Sequence, residues 1–420
     1  MKVLVIGGGG REHAIVWKLS QSPKVTQIYC APGNPGIAEL ATCVSIAVSD
    51  KEKLAAFAKM GQIDLTFVGP EEPLSLGIVN YFKEQGLAVY GPSKEAAIIE
   101  GSKAFAKELM MKYGIPTAKY AAFTNYEDAL AYVRSEGAPI VIKADGLAAG
   151  KGVVVAKKME EAEEALKRML KEVTFGSAGA RVVVEEYLEG EEMTLLAFVN
   201  GTIVKAMVPA QDHKPVYDGD QGPNTGGMGT YAPLPHIDSS MVERIIHEIV
   251  EPTAKAMAVE GCPFEGILYT GLMLTKAGPK VIEYNARFGD PETQVVLPLL
   301  ETDLLDILLA SLTAELEKVE VKWKDKSAVC VVMSSAGYPG PFEKGQVING
   351  LDQVAYPTIV FHAGTTEKEG AIVTNGGRVL GITAIGENLG QARELVYQSV
   401  EKVSFKGAYY RTDIGSKGVR

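Results

Sequence analysis

The 420-residue sequence predicts a multidomain protein of mixed α/β and α+β class. A doubly wound parallel sheet comes first, a small α+β unit and a larger antiparallel sheet follow, and a β-rich unit closes the chain. Three patterns carry this prediction. Short β-type runs alternate with helical ones through residues 1–101, a strand–turn–strand–helix–strand order occupies 118–187, and short strands between many turns fill 326–420.

Within the first unit, 2–6, 26–30, 42–46, 64–68 and 88–90 read as strands, with helices at 11–20, 51–59, 74–84 and 94–99. That alternation gives a parallel sheet whose ligand crevice lies beyond the strand C-termini. Gly7-Gly8-Gly9-Gly10 and Gly69-Pro70-Glu71-Glu72 both sit at such ends. A helix at 102–112 is stopped by Gly114-Ile115-Pro116. Strands at 140–144 and 152–156 flank a glycine turn, and a helix at 160–171 precedes a strand at 181–186. Glu and Lys at i,i+4 spacing mark that helix as an exposed face. From 193 to 282, further strands and a long helix at 241–259 predict the larger antiparallel sheet. Past the polar stretch 322–326 the regular helix is 389–403. The expected units are therefore 1–101, 102–325 (with 118–187 a small subdomain) and 326–420.

Composition narrows the function classes. Hydrophobic residues at 46% and charged ones at 22% describe a folded globular chain. A net charge of −10 with no basic stripe argues against a nucleic-acid partner. Anionic small ligands stay open, because nearby Lys, Arg and helix N-termini govern those. Cys30, Cys43, Cys262 and Cys330 are scattered without a CxxC pair, which points to reduced thiols and not to disulfides or structural zinc. His13, His213, His236, His247 and His362 show no paired ligand spacing. The opening apolar run is too short for a signal segment, and no stretch nears the roughly 20 apolar residues of a membrane helix. The expectation is a cytoplasmic protein without a membrane partner.

Two motifs nearly fit familiar nucleotide loops and fail. Gly7-Gly8-Gly9-Gly10-Arg11-Glu12 follows the first strand, but GxGxxG needs glycine where Glu12 stands. A phosphate-cradling turn and a plain tight turn both survive that failure, since N–H groups at a helix start need no third glycine. Gly146-Leu147-Ala148-Ala149-Gly150-Lys151 is one residue short of a P-loop. Gly152 replaces its hydroxyl residue, and a strand follows where a helix is required. This turn is either a lid over phosphates, offering N–H donors and Lys151, or a flexible hairpin with a solvated lysine.

Other residues fall into a consistent order. Lys103 opens a helix after Gly101-Ser102, and Lys143 ends an apolar strand, where a lysine needs an anionic partner. Glu185-Glu186-Tyr187-Leu188-Glu189-Gly190-Glu191-Glu192 follows a further strand. Finally Glu283 and Asn285, at i and i+2 of a strand, project from one face and can grip a hard cation. Arg287 joins that face if the strand continues, ready for a phosphate or carboxylate.

This ordered set resembles the ATP-grasp ligases, in which two α+β subdomains clamp ATP, and most closely the phosphoribosylamine–glycine ligase family. The stretches that carry the resemblance are VLVIGGGGREHA (3–14), GPEEPLSLGIVN (69–80), KADGLAAGKGV (143–153), QDHKPVYDGDQGPNTGGMG (211–229) and EYNARFGDPETQ (283–294). They span most of the chain, and the last two are the most specific.

The resemblance implies an ATP-grasp core with 118–187 as lid and a reaction in purine biosynthesis. ATP would activate glycine as glycyl phosphate, and 5-phosphoribosylamine would take the acyl group, giving glycinamide ribonucleotide, ADP and phosphate. Lys103 and Lys143 would contact the ATP phosphates, with Gly150, Lys151 and Gly152 in the lid turn. Glu185 with the backbone of Tyr187 and Leu188 would meet adenine, and Glu192 the ribose. Glu283 and Asn285 would hold Mg²⁺ or Mn²⁺. Gly9, Glu12 and Glu71 would surround the ribose phosphate of the amine. Asp212, Thr225, Gly226, Gly227 and Met228 would line the meeting place of amine and glycine, and Arg287 with Lys214 would bind glycine's carboxylate or the departing phosphate. Arg287, Asp212 and Lys143 are the expected catalytic residues.

Such chemistry depends on alignment and charge neutralisation, which accounts for lysines and arginine without a nucleophilic Ser or Cys. In one departure from the family pattern, 266–275 carries no second metal-binding acid. The implied partners are the two small substrates, with room for transient contact with neighbouring pathway enzymes. Another ATP-grasp carboxylate–amine ligase, or a nicotinamide-dependent oxidoreductase built on the first sheet, are the alternatives.

Overall fold

The structure, a computed structural model, describes residues 1–146, 152–172 and 180–419. Lys2–Gly7 (β1), Gln27–Pro32 (β2), Thr42–Cys43 (β3), Leu65–Val68 (β4) and Val89–Tyr90 (β5) form one parallel sheet in the order β3-β2-β1-β4-β5. Val3, Leu4, Val5 and Ile6 are all buried, as expected when helices cover both faces. The chain reverses its winding between β1 and β4, so the loops leaving these two strands flank the crevice. The expected helix 74–84 is instead two, Glu71–Ser75 and Ile78–Glu84. They part at Gly77, whose φ of +79° suits glycine alone.

The small subdomain is an antiparallel sheet of Tyr120–Phe123 (β6), Ile140–Ala144 (β7), Val153–Ala156 (β8) and Val182–Glu186 (β9), ordered β6-β9-β7-β8. β6 and the helix Tyr126–Glu136 extend it beyond the strand–turn–strand–helix–strand reading. Its core of Ala129, Ile142, Leu166 and Val184 is separate from the main cores. The unit is thus packed as a body of its own.

Glu191–Asn200 (β10) and Ile203–Ala206 (β11) open the larger sheet. Next come Gln211–Asp212 (β12), Pro215–Tyr217 (β13), Gln221–Asn224 (β14) and Gly229–Ala232 (β15), then Glu265–Thr275 (β16) and Gly278–Asn285 (β17). β11-β10-β16-β17 make the antiparallel sheet, and β13 with β14 a hairpin. The helix expected at 241–259 is interrupted by a π turn at Ile246–Val250.

The closing unit contributes Ser327–Ser334 (β18), Thr358–His362 (β19), Thr365–Lys368 (β20), Ala371–Thr374 (β21) and Arg378–Gly386 (β22). Its main sheet runs β12-β15-β18-β22-β19, taking two strands from residues 211–232. The helix Leu389–Val400 packs on β18 and β22. Among the described residues no helix is long and apolar enough to cross a membrane.

Candidate active site

A cavity of about 580 Å³ opens where these units meet. Its walls come from the helix Lys103–Tyr113, from β7 to β10, β12, β16 and β17, from the crevice loops and from β22. The antiparallel pairing of β7 and β9 sets Val141 opposite Glu185 and Lys143 opposite Val183. Lys143 and Glu185 are therefore diagonal neighbours on one face. Lys143 Nζ lies 2.9 Å from Glu185 Oε1 and donates to the Ile282 carbonyl at 2.9 Å, tying the small subdomain to β17.

A residue that sequence reasoning missed completes this group. Lys107 Nζ sits 2.8 Å from Glu185 Oε2 and donates to Thr117 Oγ1 at 2.8 Å. Lys107, Lys143 and Glu185 are all nearly buried. Burial pulls the Lys107 ammonium down to about 8, against the support of Glu185, while Lys143 pulls the same way. Lys107 lies one helical turn after Lys103, and that i,i+4 spacing was the signal available in the sequence.

Lys103 reaches into the same cavity and donates to the Gly146 carbonyl at 3.2 Å. Tyr187, Leu188 and Gly152 also line it, together with the apolar side chains of Val141, Met273 and Ile282. Gly150 and Lys151 lie outside the described residues.

On β17, Glu283 and Asn285 share a face as the period of two requires. Glu283 stands opposite Gly271, where a side chain would crowd its Cγ at 3.2 Å. Burial opposes ionisation of Glu283, but Lys214, Lys143, Lys103 and Arg287 together bring its carboxyl down to about 2. It is therefore a fixed anion near neutral pH. β17 ends at Asn285, yet Arg287 stays at its side, donating from Nη2 to Asn285 Oδ1 at 3.3 Å. Arg287 Nη2 also lies 3.0 Å from Glu100 Oε1, and its Nε 3.4 Å from Glu71 Oε2. Among the described residues no group of three or more His, Cys, Asp or Glu is placed to hold a metal. An ionised carboxylate beside an amide oxygen fits a hard cation that draws its remaining ligands from phosphate and water.

Lys214 bridges the two halves of the site, 3.4 Å from Glu192 Oε2 and 3.5 Å from Glu283 Oε1. Beside it, Asp212 is pushed up to about 8. Burial is the largest cause; Lys214 opposes it, and Glu292, Glu192 and Glu283 each add to it. Glu292, also missed in the sequence, is buried and accepts from Tyr269 Oη at 2.9 Å and Thr194 Oγ1 at 3.4 Å.

At the crevice end the structure redistributes the expected roles. Glu12 turns inward and accepts from the Gly9 N–H at 2.7 Å and from Arg11 Nε at 2.6 Å. Its side chain fills the space above Gly7 and Gly69, where any Cβ would stand 2.3 Å from it. Glu12 thus closes the turn where a dinucleotide fold would need glycine, and it takes up the N–H of Gly9.

Arg11 and Arg378, neither read as site residues, face the cavity with Glu71 and Asp290. Arg378 Nη1 donates at 2.7 Å to the carbonyls of Gly226 and of Asp290, and its Nη2 lies 3.4 Å from Asp290 Oδ2. Thr225 and Gly226 line the cavity, and Gly226 donates its N–H to Tyr338 Oη at 3.0 Å. Gly227, with φ of +115°, passes so close to Pro291 that a Cβ would stand 2.5 Å from it. Met228 is fully buried in the core beneath.

Three family models match the chain in sequence. They are the N domain of phosphoribosylglycinamide synthetase over residues 1–100, its ATP-grasp (A) domain over 101–293 and its C domain over 328–417. The phosphoribosylamine–glycine ligase of Halalkalibacterium halodurans is 56% identical over 419 residues, covering 100% of this chain and 97% of that protein. That of Caldanaerobacter subterraneus subsp. tengcongensis is 55% identical, covering 99% and 100%. The crystal structure of the Thermotoga maritima phosphoribosylamine–glycine ligase superposes with a TM-score of 0.86 at 36% identity, covering 98% of this chain and 100% of that one. The biotin carboxylase domain of the Hydrogenobacter thermophilus 2-oxoglutarate carboxylase, solved with MgADP and bicarbonate, shares the fold at a TM-score of 0.74 and 16% identity, covering 97% and 91%.

Proposed function

The chain belongs to the phosphoribosylglycinamide synthetase family, its activity is the ATP-dependent ligation of glycine to 5-phosphoribosylamine in purine biosynthesis, and from that premise we propose how its own residues carry the reaction. The adenine of ATP lies between Val141, Met273 and Ile282, with Glu185 and the backbone of Tyr187 and Leu188 at its polar edge. Glu192 holds the ribose, and Lys103 and Lys143 take the phosphates. On this reading the working units are 1–101, 102–325 and 326–420, with 118–187 closing as a lid. Closure excludes the water that would destroy an acyl phosphate. When bound through Glu283 and Asn285, Mg²⁺ or Mn²⁺ supplies neutralisation of the phosphate charge.

Arg287, with Lys214, receives the glycine carboxylate. One carboxylate oxygen attacks the γ-phosphorus, ADP departs, and glycyl phosphate remains. The amine nitrogen of phosphoribosylamine then adds to the acyl carbon, and phosphate leaves with that former glycine oxygen. Asp212 accepts the amine's proton at its carboxylate, a task suited to a carboxyl poised near 8. Thr225 and Gly226 position the two reactants. Arg11 and Arg378 lie on the side of the crevice loops, where Gly9 and Glu71 stand, and they take the ribose phosphate. A cytoplasmic setting suits these substrates.

The observation that carries this reading is the convergence of three lysines, Lys103, Lys143 and Lys214, on the ionised Glu283 within one cavity. Only a strongly anionic ligand with a cation of its own makes use of such a set. The test is ADP formation with Mg²⁺-ATP, glycine and freshly generated phosphoribosylamine, each omitted in turn. ADP formed only with all components, and matched by glycinamide ribonucleotide, supports the reading. No ADP from a protein that binds ATP redirects it to another carboxylate and amine pair.

A further inference from the structure

The loop from β12 to β15 carries Asp212 and Lys214 at its start and Thr225 and Gly226 at its end, all on the cavity wall. Between them the β13–β14 hairpin runs out to a tip, Asp218-Gly219-Asp220, that takes no part in the cavity. Residues 409–417 of the closing unit grip that hairpin. Arg411, fully buried, donates from Nη1 to the Pro215 carbonyl at 3.0 Å and from Nη2 to Asp220 Oδ1 at 3.0 Å. Its Nε and Nη2 meet the two oxygens of Asp413 at 2.7 Å each. Asp413 Oδ2 in turn accepts from the Gly219 N–H at 2.9 Å, and Asp218 Oδ1 from the Thr412 N–H at 2.8 Å. Lys417 Nζ closes on Asp220 Oδ2 at 2.6 Å, and Tyr217 packs edge-on against Tyr409.

The gripping segment is itself anchored. Arg393 donates to the carbonyls of Thr412 and Ile414 at 2.8 and 3.0 Å, and Tyr397 Oη donates to the Arg411 carbonyl at 2.9 Å. Both partners stand on the helix Leu389–Val400, which packs on β18 and β22.

We propose that residues 409–417 are a strap that sets the substrate loop in register with the cavity, and that Arg411 is its positioning residue. The inference rests on the assignment of the loop's Asp212 and Lys214 to the glycine and amine side of the site. Arg411 touches no reactant. It fixes the backbone one residue beyond Lys214 and the hairpin tip at once, which a planar fork with several donors can do and a point charge cannot. Without it, Asp220 and Asp413 would lose the cation they share and stand crowded beside Asp218, with Lys417 the one ion-pair partner left to Asp220 among the described residues. The loop would then be pushed off its seat.

The test compares Arg411→Lys with Lys214→Met in the full chain, measuring the ratio of ADP to glycinamide ribonucleotide and the KM of each substrate. A misplaced loop lets glycyl phosphate form and hydrolyse before the amine attacks. Arg411→Lys is therefore expected to release ADP in about twofold excess over product. It should also raise the KM for glycine and phosphoribosylamine about tenfold, with that for ATP within about twofold. A loss of stability alone would lower active enzyme without changing the ratio. Uncoupling by Lys214→Met but full coupling by Arg411→Lys overturns the strap. Full coupling and unchanged KM values in both variants instead remove the loop from the substrate site, and the assignment beneath the inference fails. If Arg411→Lys does not fold, Thr412→Val, which deletes one hydroxyl contact to Asp218, must shift the ratio in the same direction or the strap is overturned.

Discussion

Lys214 Nζ stands 3.5 Å from Glu283 Oε1, and this pair joins the loop proposed to seat the substrates to the strand proposed to face the metal. The lysine belongs to the 211–229 segment, the carboxylate to β17, and each holds the other in its charged form. Glu283→Gln removes the anion and keeps the shape. It is expected to raise the Mg²⁺ concentration needed for half-maximal rate by about tenfold or more, with Asn285→Ala acting in the same direction and more weakly. Titration of the rate with Mg²⁺ at fixed ATP checks both, and an unchanged midpoint would remove β17 from the metal site.

Asp212 gives the site a pH signature. Its carboxyl is pushed up to about 8, chiefly by burial, so it is protonated below that value and a competent base only above it. The turnover rate should rise with pH through about 8, and Asp212→Asn should flatten the profile while lowering the rate about a hundredfold. Lys214→Met removes the cation that opposes this upward push, so its inflection should move to higher pH.

Lys107, one helical turn after Lys103, should matter to ATP use. Lys107→Met leaves Glu185 with Lys143 alone, and a buried charged hydrogen bond of this kind is worth about 2 kcal/mol. Its stability by denaturant titration should fall by about that amount, and its KM for ATP should rise. A variant as stable as the parent with an unaltered KM would make the Lys107–Glu185 contact incidental.

What can be read in the sequence follows the range of the interactions involved. Parallel strands of the first sheet and the Glu283/Asn285 pair depend on local period and spacing, and both stand where expected. Lys107 carries only its i,i+4 spacing from Lys103 as a local sign, and Arg11, Glu292 and Arg378 acquire meaning only through distant partners. Lys107 meets Glu185 from another subdomain, and Arg378 meets Gly226 and Asp290 from another sheet. Strands β12 and β15, of two and four residues, are too short for an alternation signal, so the sequence does not reveal their place in the closing sheet. For Glu12, the family resemblance implies a place near the ribose phosphate but says nothing of direction. Its inward turn is set by the room that Gly7 and Gly69 leave.

The seam between the first and closing units should be sensitive to acid. His13 Nδ1 accepts from the His362 N–H at 2.8 Å. Burial lowers His13 to about 3, helped by His362, and burial lowers His362 to about 4, both from an ordinary 6.5. The unfolded chain therefore binds these protons first, and stability present above pH 6.5 is lost as pH falls toward the folded values. Between about pH 7.5 and about pH 5 each histidine should cost about 2 kcal/mol. Denaturant midpoints of His13→Gln against the parent should show a shallower fall, and parallel curves would assign the acid sensitivity elsewhere.

The most direct test of the glycyl phosphate route follows the oxygen atoms. Glycine labelled with ¹⁸O in its carboxylate is supplied with Mg²⁺-ATP and phosphoribosylamine, and the inorganic phosphate is analysed by mass. Attack of the carboxylate on the γ-phosphorus predicts one labelled oxygen in each phosphate released. Phosphate without label, formed in step with glycinamide ribonucleotide, would contradict the acyl phosphate and with it the roles of Arg287 and Lys143.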